Sequence, residues 1–305
     1  MRAVALVLAL LASGAGPALA RQAAPADRTA QAYFEFLLAR RLESQGDAAG
    51  ALQALERALA LDPDSAELHA ELAGHHARQN DGAAAVKAAE KALELDPDNT
   101  EAHRLLGLIY SAWSNGAGEA PAGLTRSELT RRAVEHLSRV ADTPAMATDL
   151  NMQLTFARLL MRQGDNARAV PVLENIVAQA PFASDPYVLL AEARLALGRT
   201  EAAAEALQAA AELNPRHYLA LGELYERTRR WREAAAAYER SMEASGGRAS
   251  RDLRLRYATV LLNVGDDASA RRAREVLADL LVVSPQDQRG LFLLSSANLQ
   301  LEDFE

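Results

Sequence analysis

The tripeptide Leu61-Asp62-Pro63 recurs as Leu95-Asp96-Pro97, 34 residues later, and Pro181 and Pro215 again stand 34 residues apart. A fixed internal period constrains a fold more than any single motif does. A unit of that length is one supersecondary element, and it buries its apolar face only against a neighbouring copy. The 305 residues are therefore expected to form an array, although length alone suggests about two ordinary domains. Half of the residues are hydrophobic while aromatics make up 5%. Alanine, leucine, glutamate and arginine are strong helix formers, and the scarcity of β-branched and aromatic residues argues against a sheet.

Within a unit, two sets of positions repeat. One runs bulky, leucine, small, aromatic: His103, Leu106, Gly107, Tyr110, and again Tyr218, Leu221, Gly222, Tyr225. The other ends on a proline: Ala51, Leu55, Ala58, Pro63; Ala85, Ala89, Ala92, Pro97; Ala169, Leu173, Ile176, Pro181; Ala203, Leu207, Ala210, Pro215. Residues three, four and seven apart share one helix face. Small residues on that face let two antiparallel helices approach, and leucine and tyrosine fill the space beside them. Gly46-Asp47, Gly164-Asp165 and Gly198-Arg199 fall between the two helices, where glycine takes the left-handed conformation that ends a helix. The closing proline stops the second helix. Ser184-Asp185-Pro186 is expected to start one, with Ser184 as N-cap.

These positions and the 34-residue period resemble the tetratricopeptide repeat (TPR) family from about Ala30 to the end. The resemblance implies an all-α fold, a TPR-type right-handed α-solenoid of antiparallel helix pairs. We expect residues 30–305 to hold about seven repeats plus a partial eighth. In this family the first helices line a concave groove that holds a segment of a partner. By resemblance the groove-facing residues are Leu154, Arg158, Arg162, Val188, Glu192, Leu219, Glu223, Arg227, Leu255 and Arg256. The implied function is a non-enzymatic protein-binding scaffold with a protein or peptide partner. The alternative is the N-terminal module of a larger enzyme, or of an envelope polysaccharide-export or secretion assembly.

The array departs from the period in places. Tyr110 to Ala133 is 23 residues where other units have 9, with Gly- and Pro-containing loop sequence over about 113–126. It is either a tolerated surface insertion or a binding loop anchored by Trp113. Thr125-x-x-Glu128 resembles a capping box that opens the next helix. Pro215 to Tyr218 is 3 residues, against 6 from Pro97 to His103, and Ala258 to Ala273 is 15 where the unit has 12. Leu291, Leu294 and Ser295 begin an eighth first helix, and the chain ends inside that unit, as a piece of a longer chain would.

The N-terminus has the three parts of a secretory signal: Met1-Arg2, an apolar run Ala3 to Ala12, and the small-x-small site Ala18-Leu19-Ala20. The run is too short to span a bilayer, which takes about 20 residues. Cleavage is expected after Ala20, residues 21–29 are expected to form a flexible lead-in, and the mature chain is expected in the periplasm or outside the cell with no transmembrane span. An envelope complex follows naturally. With 33 basic against 41 acidic residues and a net charge of -8, no nucleic-acid partner is expected. The absence of cysteine removes disulfides, thiolate metal sites and a cysteine nucleophile. His69 and His76 lie seven apart, about 10 Å along a helix, too far to share a metal. No zinc-protease helix, Walker loop or nucleophile elbow is present, so we expect no catalytic residues, no metal and no cofactor.

Overall fold

In a computed structural model the described residues, 25–301, form sixteen α-helices and one 3-10 turn, with no strand among them. The signal segment, its cleavage site and residues 21–24 lie outside the described residues. The helices divide between two compact units, residues 1–99 and 100–305.

The first unit is built from α1 (Pro25–Ser44), α2 (Ala48–Leu61), α3 (Ala66–Arg78) and α4 (Gly82–Leu95), paired α1 with α2 and α3 with α4. Helix α1 begins inside the span expected to be a flexible lead-in. Proline loses no hydrogen bond in a first turn, and Asp27 there favours the positive end of the helix dipole. The faces between the helices are almost pure alanine: Ala39, Ala51, Ala54, Ala58, Ala73, Ala85, Ala89 and Ala92 are all buried, with Leu55 among them. The first unit's two pairs are tied across by Arg78, which donates to both oxygens of Glu43 at 2.7 and 2.5 Å.

One turn recurs between paired helices. Gly46 has φ +81°, and the Asp47 N–H reaches back to the Leu42 carbonyl at 3.0 Å, the six-to-one bond of a Schellman turn. Asp47 then caps α2 by accepting from the Gly50 N–H. The same bond joins Asp81 to His76, Asp165 to Leu160, Arg199 to Arg194 and Arg230 to Tyr225. Gly164 and Gly198 supply the left-handed residue as the sequence suggested, but Asn80 (φ 65°) and Arg229 (φ 57°) do so elsewhere.

The second unit continues with α5 (Thr100–Ser114), α6 (Arg126–Val140), α7 (Pro144–Thr148), α8 (Leu150–Arg162), α9 (Asn166–Gln179), α10 (Ser184–Ala196), α11 (Thr200–Leu213), α12 (Tyr218–Arg227), α13 (Trp231–Ala244), α14 (Arg251–Val264), α15 (Asp267–Val283) and α16 (Gln288–Gln300). Pairs α5/α6, α8/α9, α10/α11, α12/α13 and α14/α15 stack in chain order, and α16 packs on α15 and α14. The approach within a pair is close enough to demand glycine. A Cβ on Gly107 would lie 2.6 Å from Leu137 Cγ, and one on Gly222 would lie 2.6 Å from the Tyr238 ring.

The irregular stretches are absorbed locally. After α5 the usual turn forms at Gly116, with Ala117 N–H on the Ala112 carbonyl at 2.9 Å. Residues 118–124 are the loop proper, and Thr125 caps α6 by accepting from the Glu128 N–H. Trp113 is buried beneath this loop, its indole edge against Gly118. The shortened junction becomes a 3-10 turn, Pro215–His217, followed by an α12 of only 10 residues. The three extra residues of the seventh unit lengthen α15 to 17 residues, so Ala270 and Ala273 are both buried against α14. Ser184 is a correction: it is the first helical residue, Ala183 stands at the cap without a side-chain bond, and Pro186 still falls in the first turn.

Candidate functional site

The first helices of three successive units, α10, α12 and α14, present their non-core side chains along one side of the second unit. Two clefts adjoin there. The larger, about 840 Å³, is lined from α12, α13 and α14 and includes Arg216, Leu219, Ser245, Arg248 and Asp252. The smaller, about 590 Å³, is lined from α10, α11, α12, α13 and α14 and includes Val188, Glu192, Leu195, Arg227 and Trp231. Glu223 and Arg256 belong to both, and their ion pair, 2.9 Å, stands on the ridge between them.

That ridge is braced from below. Arg256 also lies 3.6 Å from Glu226 and donates to the Tyr238 hydroxyl at 3.4 Å. Tyr238 is fully buried in α13 and donates to Glu226 at 2.5 Å. Burial, then the bond to Glu226, pushes the phenol well above its usual range, so it remains a neutral donor. The Tyr238 hydroxyl and then the two carboxylates hold Arg256 in its charged form. In the smaller cleft the apolar lining comes from Ala191, Leu207 and Leu224, which are buried, and Val188 and Leu195, which are half-buried, and it lies beside the charged Glu192, Glu223, Glu226, Arg227 and Arg256.

Six of the ten residues expected from sequence therefore line this pair of clefts: Val188, Glu192, Leu219, Glu223, Arg227 and Arg256. Leu255 does not, because it is fully buried between α14 and its neighbours and has no surface to offer a guest. Leu154, Arg158 and Arg162 lie on α8, apart from these clefts. Leu154 is half-buried, Arg158 is exposed, and Arg162 donates to Ser114 Oγ at 3.0 Å and Asn115 Oδ1 at 2.7 Å. Sequence reasoning missed Glu226, Tyr238, Arg248 and Ser245. Tyr238 and Ser245 sit on or just after a second helix; packing of α13 against α12 brings Tyr238 to Glu226, and the approach of α14 brings Arg256 over it and closes the cleft beside Ser245.

Each histidine has a local partner or packing role. The His69 ring meets the Pro63 carbonyl at 3.0 Å, His75 is buried 3.4 Å from Glu43, and His76 packs edge-on against His75. His103 and His136 share a bond between their Nδ1 atoms at 2.9 Å, and Tyr110 stacks on His136. His217 lies beside Ser184 and Arg216. Among the described residues no three His, Asp or Glu side chains gather closely enough to hold a metal. No helix among them is long and apolar enough to cross a membrane.

Stacked antiparallel helix pairs closed over glycine define a helical repeat protein. Sequence models described as tetratricopeptide repeat match residues 42–109, 154–218 and 188–249, together more than half of the chain, and the chain belongs to the tetratricopeptide repeat family. Among solved structures, Naa15/Naa10 bound to HypK-THB is similar over 87% of this chain and 38% of that one, at 16% identity and a TM-score of 0.64. MamA is similar over 61% of this chain and 93% of that one (17% identity, TM-score 0.46). YrrB, whose structure is described as a TPR protein with an unusual peptide-binding site, is similar over 61% and 88% (21% identity, TM-score 0.48). No curated protein sequence matches the chain.

Proposed function

We propose that this protein is a non-enzymatic scaffold of the cell envelope, exported by its N-terminal signal, that holds a segment of a protein partner in the twin clefts over α10, α12 and α14. The observation that carries the reading is the adjacency of those clefts across three successive repeats, the smaller one largely apolar, the larger one mostly polar, and the Glu223–Arg256 pair shared by both. Such a surface suits an extended or helical amphipathic segment, whose apolar side chains fill the smaller cleft while its polar ones meet the Glu223–Arg256 ridge. Binding energy would concentrate in the smaller cleft, because exposed charges keep most of their hydration.

Site-specific photo-crosslinking tests this. A photoreactive residue at Leu219 or Arg227, in protein expressed with its signal, should capture a defined envelope protein. The same probe at Gln208, on the exposed face of α11, should not. Crosslinks formed equally from Gln208, or only from it, would rule the groove out.

A further inference from the structure

A third cleft, away from the twin clefts, carries a different chemistry. It is about 670 Å³ and is lined by Arg126, Ser127, Thr130, Arg131, Arg162 and Gln163. Three guanidiniums, two hydroxyls and an amide face it, and no carboxylate does. In a chain of net charge -8 such a lining is out of proportion to the composition.

Charge accounting shows which cations are free. Arg131 is neutralised by Glu128 at 2.7 Å and Glu135 at 3.1 Å, and Glu128, held by Arg131 and Arg132, has its carboxyl lowered to about 2. Arg162 is held only by neutral oxygens, those of Ser114 and Asn115. These bonds fix the guanidinium plane without cancelling its charge, so it meets an incoming anion pre-oriented. Arg126 forms no ion pair among the described residues, and it stands on the first turn of α6, where the helix dipole adds positive potential. Arg158, one turn before Arg162 on α8, is also exposed and forms no ion pair among the described residues.

We infer that this cleft binds the carboxylates of an acidic peptide segment belonging to a protein partner. The inference deepens the scaffold reading by naming the partner's chemistry at the α6–α8 end. Arginine forks match carboxylates in two-point bonds. The cleft is in the size range that holds a drug-sized ligand, which suits several residues of chain rather than one small ion. Of the three α8 residues only Arg162 lines the cleft; Arg158 and Leu154 precede it at four-residue spacing on the same helix face, so a segment leaving the cleft along α8 meets the exposed Arg158 next.

Fluorescence anisotropy on the full chain, with labelled deca-glutamate and deca-glutamine and deca-lysine as controls, tests this. Deca-glutamate alone should bind, more weakly as salt is raised. Arg126→Glu with Arg158→Glu should weaken it by about tenfold or more, as loss of two charge contacts implies, with helicity unchanged by circular dichroism. The same double variant should gain affinity for deca-lysine. Unchanged deca-glutamate affinity in that variant would overturn the inference. So would equal weakening by Arg216→Glu with Arg248→Glu, which lie on the other cleft. Displacement of the peptide by low-millimolar inorganic phosphate would also overturn it, by making the site one for a small oxyanion. The Leu219 crosslinking readout does not depend on Arg126 or Arg158, so failure here and failure of the groove reading are separable.

Discussion

Gly222→Ala should destabilise the second unit, even though alanine is the better helix former. Gly222 is buried midway along α12, and an added Cβ would sit 2.6 Å from Cδ1 and Cε1 of Tyr238 and 3.2 Å from its Cγ. Carbon atoms pack at about 3.5–4.0 Å, so the ring or the helix must give by about 1 Å. The ring has little freedom, since it is wholly buried and its hydroxyl is tied to Glu226. Overpacking of this kind costs about 1–3 kcal/mol, and straining the Tyr238–Glu226 bond adds about 1 kcal/mol. The gain in helix propensity offsets about 1 kcal/mol. The net is about 2 kcal/mol, or about 4–8 °C in melting temperature for a unit of this size. Since stability in an array is shared between neighbours, hydrogen exchange should rise first in α12 and α13 and then in α11 and α14. Gly290→Ala is the control, because the atoms nearest its Cβ are side-chain carbons of Leu281, Leu280 and Asp287 at 3.3–3.5 Å. Scanning calorimetry with exchange mass spectrometry measures both. A Gly222→Ala protein that melts with or above the parent would refute the steric reasoning.

Ala203→Trp, at a wholly buried position of α11, should lower helicity and admit proteases around α10–α12, while Ala117→Trp in the exposed turn after α5 does neither. Limited proteolysis with circular dichroism decides between them. Acid should loosen the α5–α6 pair: burial, then the charge of His103, lowers His136 to about 4 from an ordinary value near 6.5. A histidine depressed in the folded state stabilises fully above its unfolded value, and that contribution is lost as pH falls from 6.5 toward 4. With its partial solvent access, the loss between pH 7 and 5 is about 1 kcal/mol, and His136→Gln should flatten that part of the melting-temperature profile. N-terminal sequencing of protein from cells should read Arg21-Gln22-Ala23, whereas a retained Met1 in a soluble cytoplasmic fraction would defeat the export proposal.

The 34-residue spacing of prolines, the small residues at helix crossings and the glycines between paired helices were enough to derive the repeat, its period and its helix pairs. These features are local: each acts within a single helix or turn, so they are written in adjacent residues. The capping box at Thr125 was legible for the same reason. Asn80 carries a weak mark, since asparagine is the residue that most often replaces glycine there, but Arg229 carries none, and the Schellman bond to the preceding helix is what holds it. The groove divides along the same line. Positions on one first helix share a face by period alone, which is why Val188 with Glu192 on α10, and Leu219 with Glu223 and Arg227 on α12, could be read as sets; stacking of the pairs then brings those sets and Arg256 of α14 to the same clefts. Leu255 fell to the core because α14 is covered on two sides, by α13 and by α15. Only tertiary packing placed Tyr238 under the Glu223–Arg256 ridge and set Arg126, from beyond the inserted loop, across a cleft from Arg162. Such juxtapositions depend on how one helix pair stacks on the next, and no period within a single helix encodes that.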